Sequence, residues 1–142
     1  MQKPEVRAFK NELRNYDYYS GQVVVFAHLV EICYERLGGV RGIDPGKEPS
    51  HVMPNKDLEY KLRDDIERYE ARLRLVESKI RYIDMILDRM DLPIRQAVIM
   101  VYARGSHVES VSEEYFLSPN GLMKRMNKAI EEALHGQDTA DL

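Results

Sequence analysis

The sequence predicts an all-α protein: a long antiparallel helical (coiled-coil) hairpin followed by a C-terminal three-helix, helix-turn-helix module. Three observations predict it. Apolar residues recur at alternating three- and four-residue steps along two long segments, which is the period of a coiled-coil seam and not of a strand. A cluster of Gly and Pro separates those segments and interrupts both patterns. Near the C-terminus, two short helical patterns flank a turn of a few residues, the spacing of a helix-turn-helix. The expected organisation is a hairpin over 1–91 with a Gly/Pro-rich loop at 38–56, a module over 92–134, and a frayed tail over 135–142.

In the first long segment the steps run Val6, Phe9, Leu13, Tyr16, Ser20, Val23, Ala27, Val30, Tyr34, Leu37. In the second they run Leu62, Ile66, Tyr69, Leu73, Val76, Ile80, Ile83, Leu87, Met90. A helix of about 35 residues is about 52 Å long, so each segment is expected to form one rod. The intervening faces carry mixed charge, such as Arg63, Asp64, Asp65, Glu67 and Arg68, as a solvated surface should. Gly21 lies inside the first pattern and is expected to mark a kink or a close helix crossing. The stretch from Gly38 to His51 contains Pro45, Pro49 and several glycines, so it is expected to leave the helix at Gly38.

Asp91-Leu92-Pro93 closes the second segment, and Pro93 is tolerated in the first turn of a new helix running to about Arg104. Ile94, Val98, Ile99, Val101 and Tyr102 are expected to cover the following helices, and Gly105 to stop this one. Ser106 with Glu109 reads as a capping box for a helix over Glu109 to Tyr115. Phe116 and Leu117 form the turn. Ser118 is a good N-cap and Pro119 fits the first helical position of a helix reaching about Leu134. Leu117, Leu122, Met126 and Ala129 mark its apolar side.

Composition narrows the function. The chain is 44% apolar and 32% charged, values of a folded helical protein. Its formal net charge of -3 means that any nucleic-acid contact must come from a local basic face. The single Cys33 can form no internal disulfide and is expected to be a small buried apolar residue in a reducing, cytoplasmic setting. The start has no signal-peptide pattern, and the apolar run Val23 to Ala27 is too short to span a bilayer. No Gly-rich phosphate loop, metal cluster or nucleophile motif is present, and the four histidines have no ligand spacing, so neither an enzyme nor a cofactor is expected.

The residues that would carry function lie on the last helix. Lys124 and Lys128 stand one turn apart, with Asn120 and Asn127 beside them. Asn can read adenine through two hydrogen bonds, and Lys can reach guanine or phosphate. Asn120 at the helix start is best placed to read a base in double-stranded DNA. Ser118 can hold a phosphate at the helix N-terminus. Arg125 is expected to contact phosphate or to pair with Glu113 or Glu114, and Arg104 and His107 to add backbone contacts. Alone, two lysines on a helix are ordinarily just solvated charge; their place in a helix-turn-helix argues for DNA. Glu131 and Glu132 oppose phosphate and confine the footprint to the first three turns. The cluster Tyr16, Tyr18, Tyr19 is expected to put Tyr16 in the seam and the other two on its flank.

The C-terminal segment resembles region 4 of bacterial sigma factors. The residues that carry the likeness are Gly105, Glu109, Val111, Leu117, Ser118, Pro119, Leu122, Arg125, Met126, Lys128, Ala129 and Ile130. The whole layout, with Leu13-Arg14-Asn15-Tyr16, the Gly/Pro loop and a charged second helix, is similar to the ArpU/RinA-type regulators of phages and prophages. The resemblance implies an activator of late genes that places the last helix in the major groove near a promoter and touches host RNA polymerase. It maps the groove-facing positions onto Pro119, Asn120, Gly121, Met123 and Lys124. Pro119, Gly121 and Met123 depart from the polar residues of primary sigma factors, which argues against the standard upstream promoter element as target. A homo-oligomer, with a dimer through the hairpin favoured, would supply two half-sites. The rivals are a phage small terminase subunit, which would form rings, and a polymerase- or sigma-binding protein that never touches DNA.

Overall fold

The computed structural model of the protein describes residues 3–40 and 56–136. All regular structure among them is helical: α1 (Pro4–Arg14), α2 (Tyr16–Val40), α3 (Lys56–Asp88), α4 (Leu92–Val98), a π-helical turn (Ile99–Ala103), α5 (Val108–Glu114) and α6 (Pro119–Leu134). The chain forms two compact units, one of Met1–Tyr19 with Lys79–Leu142 and one of Ser20–Ser78. This differs from the division expected at 91/92: the N-terminal helix and the end of α3 belong with the C-terminal helices. No helix among the described residues is long and apolar enough to cross a membrane.

In the unit Ser20–Ser78, Cys33 and Leu37 of α2 pack with Leu62 and Ile66 of α3, and Tyr69 lies against them. Phe26 and Tyr69 bring their ring centroids to 6.2 Å. The Tyr34 hydroxyl donates to Glu70 at 2.8 Å. The expected seam of α3 is buried or half-buried throughout, from Leu62 to Met90. On α2 the phase differs. Phe26 and Cys33 take the inward positions expected of Ala27 and Tyr34, which are exposed. A phenyl ring buries far more apolar area than a methyl group, and that decides the rotation of the helix. Outward-facing charges pair along α3, as in Glu59–Arg63 at 3.1 Å.

Three expectations about the first segment are corrected. It is not one rod: the helix breaks at Asn15 (φ -94°, ψ 5°), whose side chain donates to the Asn11 carbonyl at 3.1 Å. Asn competes locally for backbone groups and can end a helix without Gly or Pro. Gly21 marks no close helix crossing. It lies inside α2, and a Cβ there would meet nothing within 4 Å. Nor does the helix end at Gly38, since α2 continues to Val40 and α3 begins at Lys56. The remainder of the expected loop, 41–55, lies outside the described residues, as does the tail beyond Gly136.

In the other unit the core gathers Val6, Phe9 and Leu13 of α1, Ile83 and Ile86 of α3, Val98 and Tyr102, and Leu122, Met126 and Ile130 of α6. α1 packs on both α6 and the π-helical turn. α4 has Pro93 in its first turn, after Asp91. It then widens instead of continuing as one α-helix to Arg104: the Arg104 amide reaches back five residues to the Ile99 carbonyl at 3.0 Å. The Ser106 amide bonds the Met100 carbonyl at 2.9 Å, beyond Gly105 at φ +73°. The expected capping box therefore does not form. His107 is the N-cap of α5, with no side-chain cap hydrogen bond. Tyr115 hydroxyl donates to the Pro93 carbonyl at 2.8 Å, tying the end of α5 to the start of α4. The tail is held further than expected: His135 Nε2 lies 3.2 Å from a Glu5 oxygen.

Candidate nucleic-acid interface

The turn between α5 and α6 is built from backbone hydrogen bonds. The Leu117 amide donates to the Ser112 carbonyl at 3.0 Å and the Phe116 amide to the Glu113 carbonyl at 3.2 Å. These two bonds make a Schellman motif with its left-handed residue at Phe116, φ 57°. That position is usually Gly, because a Cβ clashes there. The Phe116 ring is 96% exposed, so no packing offsets the strain. Ser118 then caps α6 as expected: its Oγ accepts from the Gly121 amide at 3.0 Å.

The buried side of α6 comprises Leu122, Met126, Ala129, Ile130 and Ala133. Its other side is open to solvent and brings Asn120, Lys124 and Lys128 together. Asn120 is exposed in the first turn, next to the Ser118 cap. Lys124 is exposed and has no acidic partner among the described residues. Lys128 is 78% exposed, with Glu132 at 3.9 Å, a distance that leaves its charge largely available in water. Met123 is 37% exposed at the edge of this face.

Three expected contributors are placed differently. Gly121 is half-buried, and a Cβ there would come to 3.0 Å from Ser118 Oγ, so the residue serves the cap more than the face. Asn127 is not free beside the lysines. It is half-buried and its Oδ1 accepts a hydrogen bond from Lys10 Nζ of α1. Arg125 forms no ion pair with Glu113 or Glu114 among the described residues. It instead lines a groove of about 240 Å³ with Pro93, Ile94, Tyr115, Leu117 and Lys128. Arg104 and His107 are exposed between the π-helical turn and α5. The acids expected to oppose phosphate are partly neutralised: Glu131 pairs with Lys3, whose hydrogen bond holds the Glu131 carboxyl below its ordinary range.

Lys10 adjoins this face although no motif in the sequence singles it out. Its side chain is buried, with the ammonium 4.6 Å from the centroid of the Tyr102 ring. Burial, and secondarily the charge of Arg14, lower its pKa from 10.5 to about 8. The signal available was the spacing Lys3, Arg7, Lys10, Arg14, steps of four, three and four along one helical edge. Among the described residues no group of three or more His, Cys, Asp or Glu could hold a metal ion. The face offers cations and side-chain amides, groups that suit an anionic polymer. Compared with known proteins, the chain matches no protein-family model, no curated protein and no solved structure.

Proposed function

We propose that the chain is a sequence-specific DNA-binding transcriptional regulator, with α5 and α6 as a helix-turn-helix and α6 as the helix that enters the major groove. The observation that carries this reading is the single exposed face of α6, where Asn120, Lys124 and Lys128 stand together on a helix anchored by its opposite, fully buried side. Asn120 reads a base edge, and the two lysines reach guanine or flanking phosphates. The likeness to sigma region 4 and to the ArpU/RinA-type regulators adds the biological setting, activation of late phage or prophage genes.

The same proposal takes α2 and α3 as an antiparallel hairpin that joins two copies, so that two weakly binding modules act on two half-sites. Val24 and Val25, 69% and 55% exposed on α2, support it because one partner helix leaves them uncovered. Contact with RNA polymerase is supported by the exposed Phe116 beside the Leu117- and Tyr115-lined groove. The test is substitution: Lys124→Ala with Lys128→Ala abolishes retention of a specific DNA fragment while helical content stays unchanged. A double variant that binds as tightly as the parent contradicts the reading and leaves a protein-binding role. A ring of eight or more subunits, roughly, in a solution mass measurement would favour the packaging alternative.

A further inference from the structure

We infer that the nucleic-acid interface extends onto α1, where Arg7 and Arg14 hold DNA backbone phosphates beside the groove that α6 occupies. This rests on the reading of α6 above. α1 segregates its charge: Lys3 at its N-cap, Arg7, Lys10 and Arg14 follow one edge, and Glu5 and Glu12 lie on another. The acidic edge is already engaged, Glu5 with His135 at 3.2 Å and Glu12 with the Tyr19 hydroxyl at 2.8 Å. The basic edge borders the open face of α6, because Lys3 pairs with Glu131 and Lys10 donates to Asn127. Those two contacts lie at either end of the interval that contains Arg7, so Arg7 stands at the rim of that face.

Two of the four cations do structural work, and two remain. Lys3 neutralises Glu131, and Lys10 fixes α1 against Asn127 and the Tyr102 ring. Arg7 and Arg14 are exposed and have no acidic partner among the described residues. Arg14 is steadied by Asn11, to which it donates at 2.9 Å, a neutral partner that leaves its charge intact. Guanidinium groups bind phosphate bidentately, which suits them to the DNA backbone. In a chain of net charge -3, this edge adds two guanidinium groups to the two exposed lysines of α6. Phosphate contacts set register and affinity without reading sequence. The N-terminal helix thereby acts as a clamp that orients α6.

The experiment uses the full chain with Arg7→Gln and Arg14→Gln, titrated at several salt concentrations against duplex fragments tiling the DNA around its own gene. Losing two phosphate contacts makes the log–log salt dependence shallower by about 1.8. The order of preference among fragments stays unchanged. Arg7→Lys with Arg14→Lys restores most of the slope, which a purely structural role for the two side chains would not require. If the Gln pair keeps the parent's slope and affinity while Lys124→Ala with Lys128→Ala weakens binding, the α1 clamp is overturned and the α6 reading stands. If the parent retains no fragment at any salt, both are overturned.

Discussion

Replacing Phe116 by Gly should stabilise this protein, although it deletes a large apolar side chain. Phe116 has φ 57° and its ring is 96% exposed, so the substitution removes a backbone clash and almost no packing. The left-handed conformation costs an L-residue about 1–2 kcal/mol. The greater freedom of Gly in the unfolded chain offsets about 0.5–1 kcal/mol of that. The net gain is about 1 kcal/mol, which for a domain of this size is a rise in Tm of about 3 °C. Thermal unfolding followed by circular dichroism measures it. Phe116→Ala is the control: it keeps the Cβ and the strain, and should leave Tm within about 1 °C of the parent. A Phe116→Gly variant that melts lower than the parent would refute the reasoning, because the ring would then be packed or the turn not left-handed.

Two further outcomes follow from the same unit. Lys10→Met removes a buried ammonium while keeping most of its volume. The folded-state pKa of Lys10 is lowered, from 10.5 to about 8, so the folded chain binds this proton less well than the unfolded chain. Its charged form therefore costs stability fully below about pH 8, and the cost fades as pH rises towards 10.5. The Met variant also loses the bond to Asn127, so the diagnostic quantity is the pH dependence: its Tm should fall relative to the parent's as pH rises from about 8 towards 10.5, and a difference independent of pH would contradict the burial of that charge. Ser118→Ala removes the acceptor for the Gly121 amide and should cost about 1 kcal/mol, read as a lower midpoint in denaturant unfolding.

The parts of the fold that were legible in the sequence were those with a local cause. Ser118-Pro119 starts α6 because both residues act within one turn, and the seam of α3 follows from its own period. The break at Asn15 was hidden because Val6, Phe9 and Leu13 continue the apolar steps of α2 without Gly or Pro between them. Phe26 and Ala27 both fit a seam on spacing alone, and only packing against Tyr69 decides between them. The π-helical turn packs against α1, which sets Lys10 over the Tyr102 ring, a long-range contact that no local pattern records. The site shows the same division. The exposure of Asn120, Lys124 and Lys128 follows from the period of one helix. Asn127 has that period too, but α1 claims it, and no pattern within α6 records that. The strain at Phe116 was equally silent, since the sequence offers Phe where the turn geometry calls for Gly.

Reading of DNA by α6 is measured by a gel-shift titration with duplex fragments tiling the region around the protein's gene, in excess random competitor. If α6 enters the groove, one fragment is retained against competitor at moderate salt and is released by Lys124→Ala with Lys128→Ala. Retention of no fragment above the lowest salt, by a chain whose helical content is intact, would contradict it.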